Sequence, residues 1–393
     1  MVVGVRLMSP ELTLLIIRAL ILLVVSLTAF AYLTYVERRV LSWFQWRVGP
    51  NRVGPWGLFQ PIADGVKALL KQEMVPRKAD KVLYFLAPVI AVAAGFTMFS
   101  LVPMGEGVWL CNVSVAVLIF LGLSSLGAYG IILAGWSSQN RYSFLGSMRA
   151  CAQVISYELA LGLALLVPVM IVGSLNLVDI AGIYRNPHWH WTYLFVLAPA
   201  ALLFLVAACA ETGRAPFDLP EGESEIVAGY FTEYSSIKYA MFPMGEYMAL
   251  CAMSSVVVSM FLGGYMLPAV GGVDLTNWVG LIARGLTGHT TVAWGPAAFL
   301  GLPPQWWAVL SVSPMGLSTV LTFSVKVALV IFLFMWVRAT FPRFRYDQLM
   351  RFGWQVMLPA GLALVMLTAM IMVLLPASEV GQTASEVSMY VPH

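Results

Sequence analysis

Eight stretches of about 18 or more predominantly apolar residues punctuate this chain, near 12–36, 82–104, 113–136, 150–173, 192–211, 241–267, 317–339 and 353–375. Each, as a helix, is long enough to cross a hydrocarbon core of about 30 Å, and a soluble domain has nowhere to bury eight of them. Inside lipid every backbone N–H and C=O must be paired within its own element, so the stretches are expected to be helical. The expected fold is therefore an all-α integral membrane protein with eight transmembrane helices. Composition agrees: 10% of the residues are charged and 60% hydrophobic, where soluble globular chains carry about 25% charged residues.

The placement of the few charges sets an orientation. Seventeen Lys and Arg residues fall on the side holding the first, third, fifth and seventh connections. Only Arg6, Arg185 and Arg284 fall on the other, and Arg18 and Lys326 lie within spans. The positive-inside tendency then makes the richer side cytoplasmic and puts both termini outside. The first stretch does not read as a cleaved signal peptide, because it is long, follows Glu11, and ends in Glu37, Arg38 and Arg39 instead of small residues.

Several chemistries are not expected. Cys111, Cys151, Cys209 and Cys251 lie in or beside four different stretches without a CxxC spacing. An iron–sulfur cluster held by this chain is therefore not expected, and the thiols read as small buried hydrophobes. No P-loop or glycine fingerprint is present, so neither nucleotide nor nucleic-acid binding is expected. His188 and His190, in HWHW, read as solvated members of an outer aromatic belt and not as a metal site.

The first connection repeats RVGP at Arg47 and Arg52, where glycine and proline favour ordered turns over helix. Residues 57–72, GLFQPIADGVKALLKQ, place Leu58, Ile62, Val66, Leu69 and Leu70 on one helical face and Asp64, Lys67 and Lys71 on the other. That pattern predicts a helix lying along the cytoplasmic membrane surface. Asp64 could simply pair with Lys67 one turn on. Alternatively the helix walls an entry for a lipid-soluble molecule, with Glu37, Arg38 and Asp64 as the polar groups deeper in.

Charge inside the spans is the second functional signal. Glu158 lies nine residues after Arg149, about 13 Å along a helix, and Lys326 lies 12 residues before Arg338, about 18 Å. Glu246 follows Pro243 on the sixth span. Burying such groups costs several kcal/mol unless they are neutral or paired, so each is a functional candidate. Glu158, Glu246 and Lys326 form a candidate polar axis, with Lys326 neutral or paired with a glutamate. The fifth connection, 212–240, is acidic: with Glu211 at the end of the preceding span, Asp218, Glu221, Glu223, Glu225 and Glu233 put six acids within 23 residues, with only Arg214 and Lys238 in answer. Helix capping after Pro220 accounts for one or two of these acids, not six.

The runs RVGPNRVGPWGLFQPIADGVKALLK, RACAQVISYELALG, AETGRAPFDLPEGESEIVAGYFTEY and WVRATFPRFRYDQLM closely resemble the quinone-chamber membrane subunit of respiratory complex I, over nearly the whole chain. Membrane-bound hydrogenases and formate hydrogenlyases share part of the pattern. The resemblance implies a subunit of a proton-pumping NADH:quinone oxidoreductase in a prokaryotic plasma membrane, joining membrane-arm to peripheral-arm partners. Quinone would be its substrate. It would bind no redox cofactor itself, iron–sulfur clusters and FMN belonging to partner subunits. By matching motif, Arg38 and Asp64 would line the quinone path, beside Glu37, while Glu158, Glu211, Asp218, Glu221, Glu223 and Glu246 would form an acidic funnel that links quinone reduction to proton pumping. Residues 268–316 depart from the compact family pattern as a long outer connection. A proton-coupled transporter would also bury Glu and Lys but should show inverted repeats, which the sequence does not. A purely structural anchor would need neither Glu158 nor Lys326.

Overall fold

A computed structural model describes residues 10–105, 108–182, 191–218, 228–266, 292–293, 311–312 and 314–374. Ten helices run through them: α1 Pro10–Phe44, α2 Gln60–Leu70, α3 Lys81–Ser100, α4 Ala116–Ser137, α5 Arg141–Val172, α6 Leu177–Gly182, α7 Trp191–Glu211, α8 Ser236–Phe261, α9 Pro314–Thr340 and α10 Tyr346–Leu374. The last contains a π-helical turn at Phe352–Met357. Among the described residues the only strands are Val292–Ala293 and Ser311–Val312, paired antiparallel. Most of the 268–316 connection lies outside them, as do His188 and His190.

Among the described residues seven helices are long and apolar enough to cross a membrane, making this a multi-pass membrane protein. α7 runs over 21 residues. α1 has 35 residues and extends about 50 Å. This length carries Glu37 and Arg38 beyond what a simple crossing needs.

Two helices begin earlier than their apolar runs suggest, because polar residues find tertiary partners. α5 starts at Arg141, capped by Asn140, whose side chain accepts from the Tyr142 amide at 3.0 Å and donates to Glu233 at 2.6 Å. α8 starts at Ser236 and absorbs Lys238, which is buried against the Phe85 ring at 3.4 Å and paired with Glu73.

The bundle packs α3 between α4 and α8, and α5 between α4 and α7. Small residues make the α3–α8 approach possible. A Cβ on Gly95 would sit 2.9 Å from the Met248 Cβ, and one on Gly245 would sit 3.0 Å from the Ala91 carbonyl oxygen. Gly245→Val is therefore expected to force the two helices apart at a cost of about 1–3 kcal/mol, read as a lowered thermal midpoint of the detergent-solubilised complex. An unchanged midpoint would show that the approach is looser than described.

The C-terminal segment is tied to the acidic connection. The Phe344 amide donates to the Pro216 carbonyl at 3.1 Å, and the Tyr157 hydroxyl donates to the Leu349 carbonyl at 3.0 Å. Gln153 Nε2 holds the start of that connection by donating to the carbonyls of Ala210 at 2.6 Å and Phe217 at 2.8 Å. The chain leaving α7 is thus pinned before it enters the acidic stretch.

Candidate functional site

Three groups of ionisable residues run from the first and fifth connections into the helices. The outermost is the rim formed by α1 and α2. Arg38 Nη1 pairs with Asp64 Oδ2 at 2.8 Å, and Gln60 Nε2 donates to Asp64 Oδ1 at 3.1 Å. Asp64 therefore faces α1, and its partner is Arg38 instead of Lys67. Arg38 and Gln60, with Arg47, Asn51 and Arg52, line an open recess of about 820 Å³. The side chains of the Arg38–Asp64 pair are 54% and 38% exposed, so it contributes about 0–1 kcal/mol to stability. What the pair does is hold the Arg38 guanidinium on the wall of that recess.

Glu37, one residue earlier, points the other way and is buried. Its carboxylate pairs with Arg214 at 2.8 Å and with Arg338, and its side chain also engages Tyr247. The Arg214 guanidinium lies over the Tyr247 ring, 4.4 Å from its centroid. Burial alone would lower the proton affinity of Arg214, but the Glu37 carboxylate more than offsets this and raises it, so the residue stays a cation. The knot joins α1, the fifth connection, α8 and the end of α9. Arg214 lies three residues after Glu211 in the chain. It reaches Glu37, 177 residues distant in the chain.

The third group lies in or at the end of candidate spans. Glu158 on α5, Glu211 at the end of α7 and Glu246 on α8 all turn inward, each half-buried. Glu158 Oε1 accepts from Ser125 on α4 in a short hydrogen bond and lies 3.5 Å from the Ser124 hydroxyl. Ser124 also interacts with the Glu211 side chain. Glu246 Oε1 accepts from the Tyr230 hydroxyl at 2.9 Å. Ser124, Glu211, Thr212, Tyr230 and Glu246 line one interior cavity of about 60 Å³. Ala91, Ala94, Gly95, Gly127, Ala128, Gly245 and Ala249 leave the space open. At roughly 10–15 Å³ minimum for one water, the cavity has room for a few. Glu211 Oε2 is buried with no hydrogen-bond partner among the described residues, the kind of orphaned acceptor that a water or a proton satisfies.

Lys326 is not part of this group. Its ammonium donates to the carbonyl oxygens of Leu262 at 2.7 Å, Gly264 at 3.0 Å and Met266, using all three N–H bonds just beyond the C-terminus of α8. Of the expected polar axis, Glu158 and Glu246 turn inward, while Lys326 binds three carbonyls at the end of α8 instead of a glutamate. Asp218 is half-buried at the edge of the described residues, while Glu221, Glu223 and Glu225 lie outside them. Glu233 is turned to Asn140. No group of three or more potential metal ligands occurs among the described residues.

Ser124, Ser125, Tyr230, Tyr247 and Arg338 join the site without having been singled out in the sequence. The serine pair, in LGLSSLGAYG, carries a visible signal as two hydroxyls in an apolar span. For Arg338 the sequence holds no signal, since its partner is on the first helix.

Residues 17–369 match the family model described as NADH dehydrogenase. The chain is 41% identical to NADH-quinone oxidoreductase subunit 8 of Thermus thermophilus over 365 residues, 91% of this chain and 87% of that one. It is 40% identical to an NADH-quinone oxidoreductase subunit of Rhodospirillum rubrum over 90% of this chain and 92% of that one. With an NADH-quinone oxidoreductase subunit of Deinococcus radiodurans the figures are 41%, 92% and 83%.

Proposed function

The chain belongs to the NADH dehydrogenase family, and we propose that it is the membrane subunit of a proton-translocating NADH:quinone oxidoreductase in which quinone reduction is coupled to proton movement. It spans the bilayer eight times, α7 included, with both termini on the outer side and α2 along the cytoplasmic surface. Quinone enters beside α2 and passes the Arg38–Asp64 rim. Electrons reach it from an iron–sulfur cluster of a partner subunit, with FMN further upstream in the peripheral arm. Forming the quinol consumes two protons and changes the local charge. The Glu37 knot carries that change inward, because Arg214 is three residues from Glu211 and its Tyr247 partner adjoins Glu246. Carboxylates sharing a low-dielectric cavity hold coupled protons, so a charge change at one moves a proton at another.

The observation that carries this reading is the convergence of Glu211, Glu246 and, through Ser124, Glu158 on one interior cavity. The acids of an anchor or of a lipid-facing scaffold have no reason to meet there. Photolabelling of the purified complex with a quinone analogue tests the entry route: labelled peptides should fall within residues 37–70. Label confined to other parts of the chain or to other subunits would refute it. Arg38→Ala should leave the thermal midpoint nearly unchanged while raising the KM for quinone about tenfold, equivalent to about 1.4 kcal/mol of lost binding. An unchanged KM would remove Arg38 from the quinone path.

A further inference from the structure

Glu158 and Glu211 stand on different helices, and neither carboxylate hydrogen-bonds the other directly. What lies between them is the Ser124–Ser125 pair on α4. The two hydroxyls are not equivalent. Ser125 makes the short hydrogen bond to Glu158 Oε1 and so fixes the direction of that carboxylate. Ser124 is buried, stands 3.5 Å from the same oxygen, interacts with Glu211, and borders the cavity that Glu211 and Glu246 share. Its hydroxyl also donates to the Leu121 carbonyl at 2.9 Å, a bond within its own helix. A hydroxyl in that bond can rotate toward either carboxylate at small cost.

We propose that Ser124 is the proton relay between Glu158 and Glu211, with Ser125 as the positioning residue that aims Glu158 at it. In the step, protonated Glu158 gives its proton to Ser124 Oγ as the Ser124 hydroxyl gives its own to the Glu211 carboxylate. Glu158 ends as a carboxylate, Glu211 as a carboxylic acid, and Ser124 as a neutral hydroxyl with its O–H reversed. The two transfers are concerted, because a serine oxonium or alkoxide in this apolar setting would be too costly. Rotation of the hydroxyl back resets the relay. On the far side of the cavity the Tyr230 hydroxyl holds Glu246 at 2.9 Å, so Ser124 occupies the narrow joint of the chain and the cavity its open part. This inference rests on the proton-coupling function proposed above.

The test compares Ser124→Thr with Ser124→Val in the whole complex reconstituted in proteoliposomes, reading protons moved per quinone reduced. Threonine and valine have nearly the same shape, and only threonine keeps the hydroxyl. Thr is expected to keep the wild-type ratio and Val to lower it at least tenfold. Normal pumping with valine, or equal loss with both, overturns the relay. Should the valine complex fail to assemble, Ser124→Ala is read in the same assay, where a wild-type ratio overturns the relay as well. Glu211→Gln separates this inference from the reading beneath it. Lost pumping in Glu211→Gln with normal pumping in Ser124→Val removes only the serine, whereas normal pumping in Glu211→Gln removes both.

Discussion

Complex carrying Glu211→Gln or Glu158→Gln is expected to assemble and to move almost no protons per quinone reduced when reconstituted in proteoliposomes. Glutamine keeps the shape and polarity of the side chain, so Ser125 can still donate at position 158 and the cavity of about 60 Å³ keeps its walls. It removes the one property the account needs, the ability to hold and release a proton. The measurement is the ratio of proton uptake or release to NADH oxidised, with the amount of assembled complex read on native gels. Loss at either position is what the proposed relay predicts, since it places Glu158 and Glu211 in series through Ser124. Wild-type ratios in both variants would exclude these carboxylates from coupling.

The second large effect is expected at Arg214. Removing one partner of a buried ion pair leaves an uncompensated charge and costs about 3–5 kcal/mol. Arg214→Leu leaves buried Glu37 with Arg338, whose side chain is 36% exposed, and also strips the cation from the Tyr247 ring. The expected result is a severe loss of assembled complex and of quinone reductase activity. Because the penalty comes from a buried carboxylate left with only the half-exposed Arg338, Glu37→Gln combined with Arg214→Leu should restore part of the assembly lost in Arg214→Leu alone. Wild-type assembly of Arg214→Leu, or a double variant worse than the single one, would contradict the buried knot.

How much of this was legible in the sequence differs by element. Apolar runs mark the helices because lipid forces the backbone to satisfy itself locally, but the starts of α5 and α8 are hidden. There Asn140 caps α5 and Lys238 extends α8 with partners, Glu233 and Glu73, from other parts of the chain. Glu158, Glu211 and Glu246 are visible as charges in or at the ends of apolar runs, since their cost is a property of depth. Their hydrogen-bonding neighbours are not, because Ser125 and Tyr230 arrive from other elements. The partners of the two cations are equally hidden. Arg214 pairs with Glu37 on the first helix, and Lys326 is satisfied by three carbonyls at the end of α8 instead of a glutamate. In both cases the partner is supplied by packing, which periodicity does not encode.

The central claim is that the interior carboxylates change protonation when quinone is reduced at a site they do not touch. Infrared difference spectroscopy of the complex, recorded between oxidised and reduced quinone, reads this directly in the carbonyl stretch of protonated carboxylic acids. The account predicts a difference band in the wild type that is lost or shifted in Glu158→Gln, Glu211→Gln and Glu246→Gln. A difference spectrum in the carboxylic acid region identical in the wild type and all three variants would contradict it.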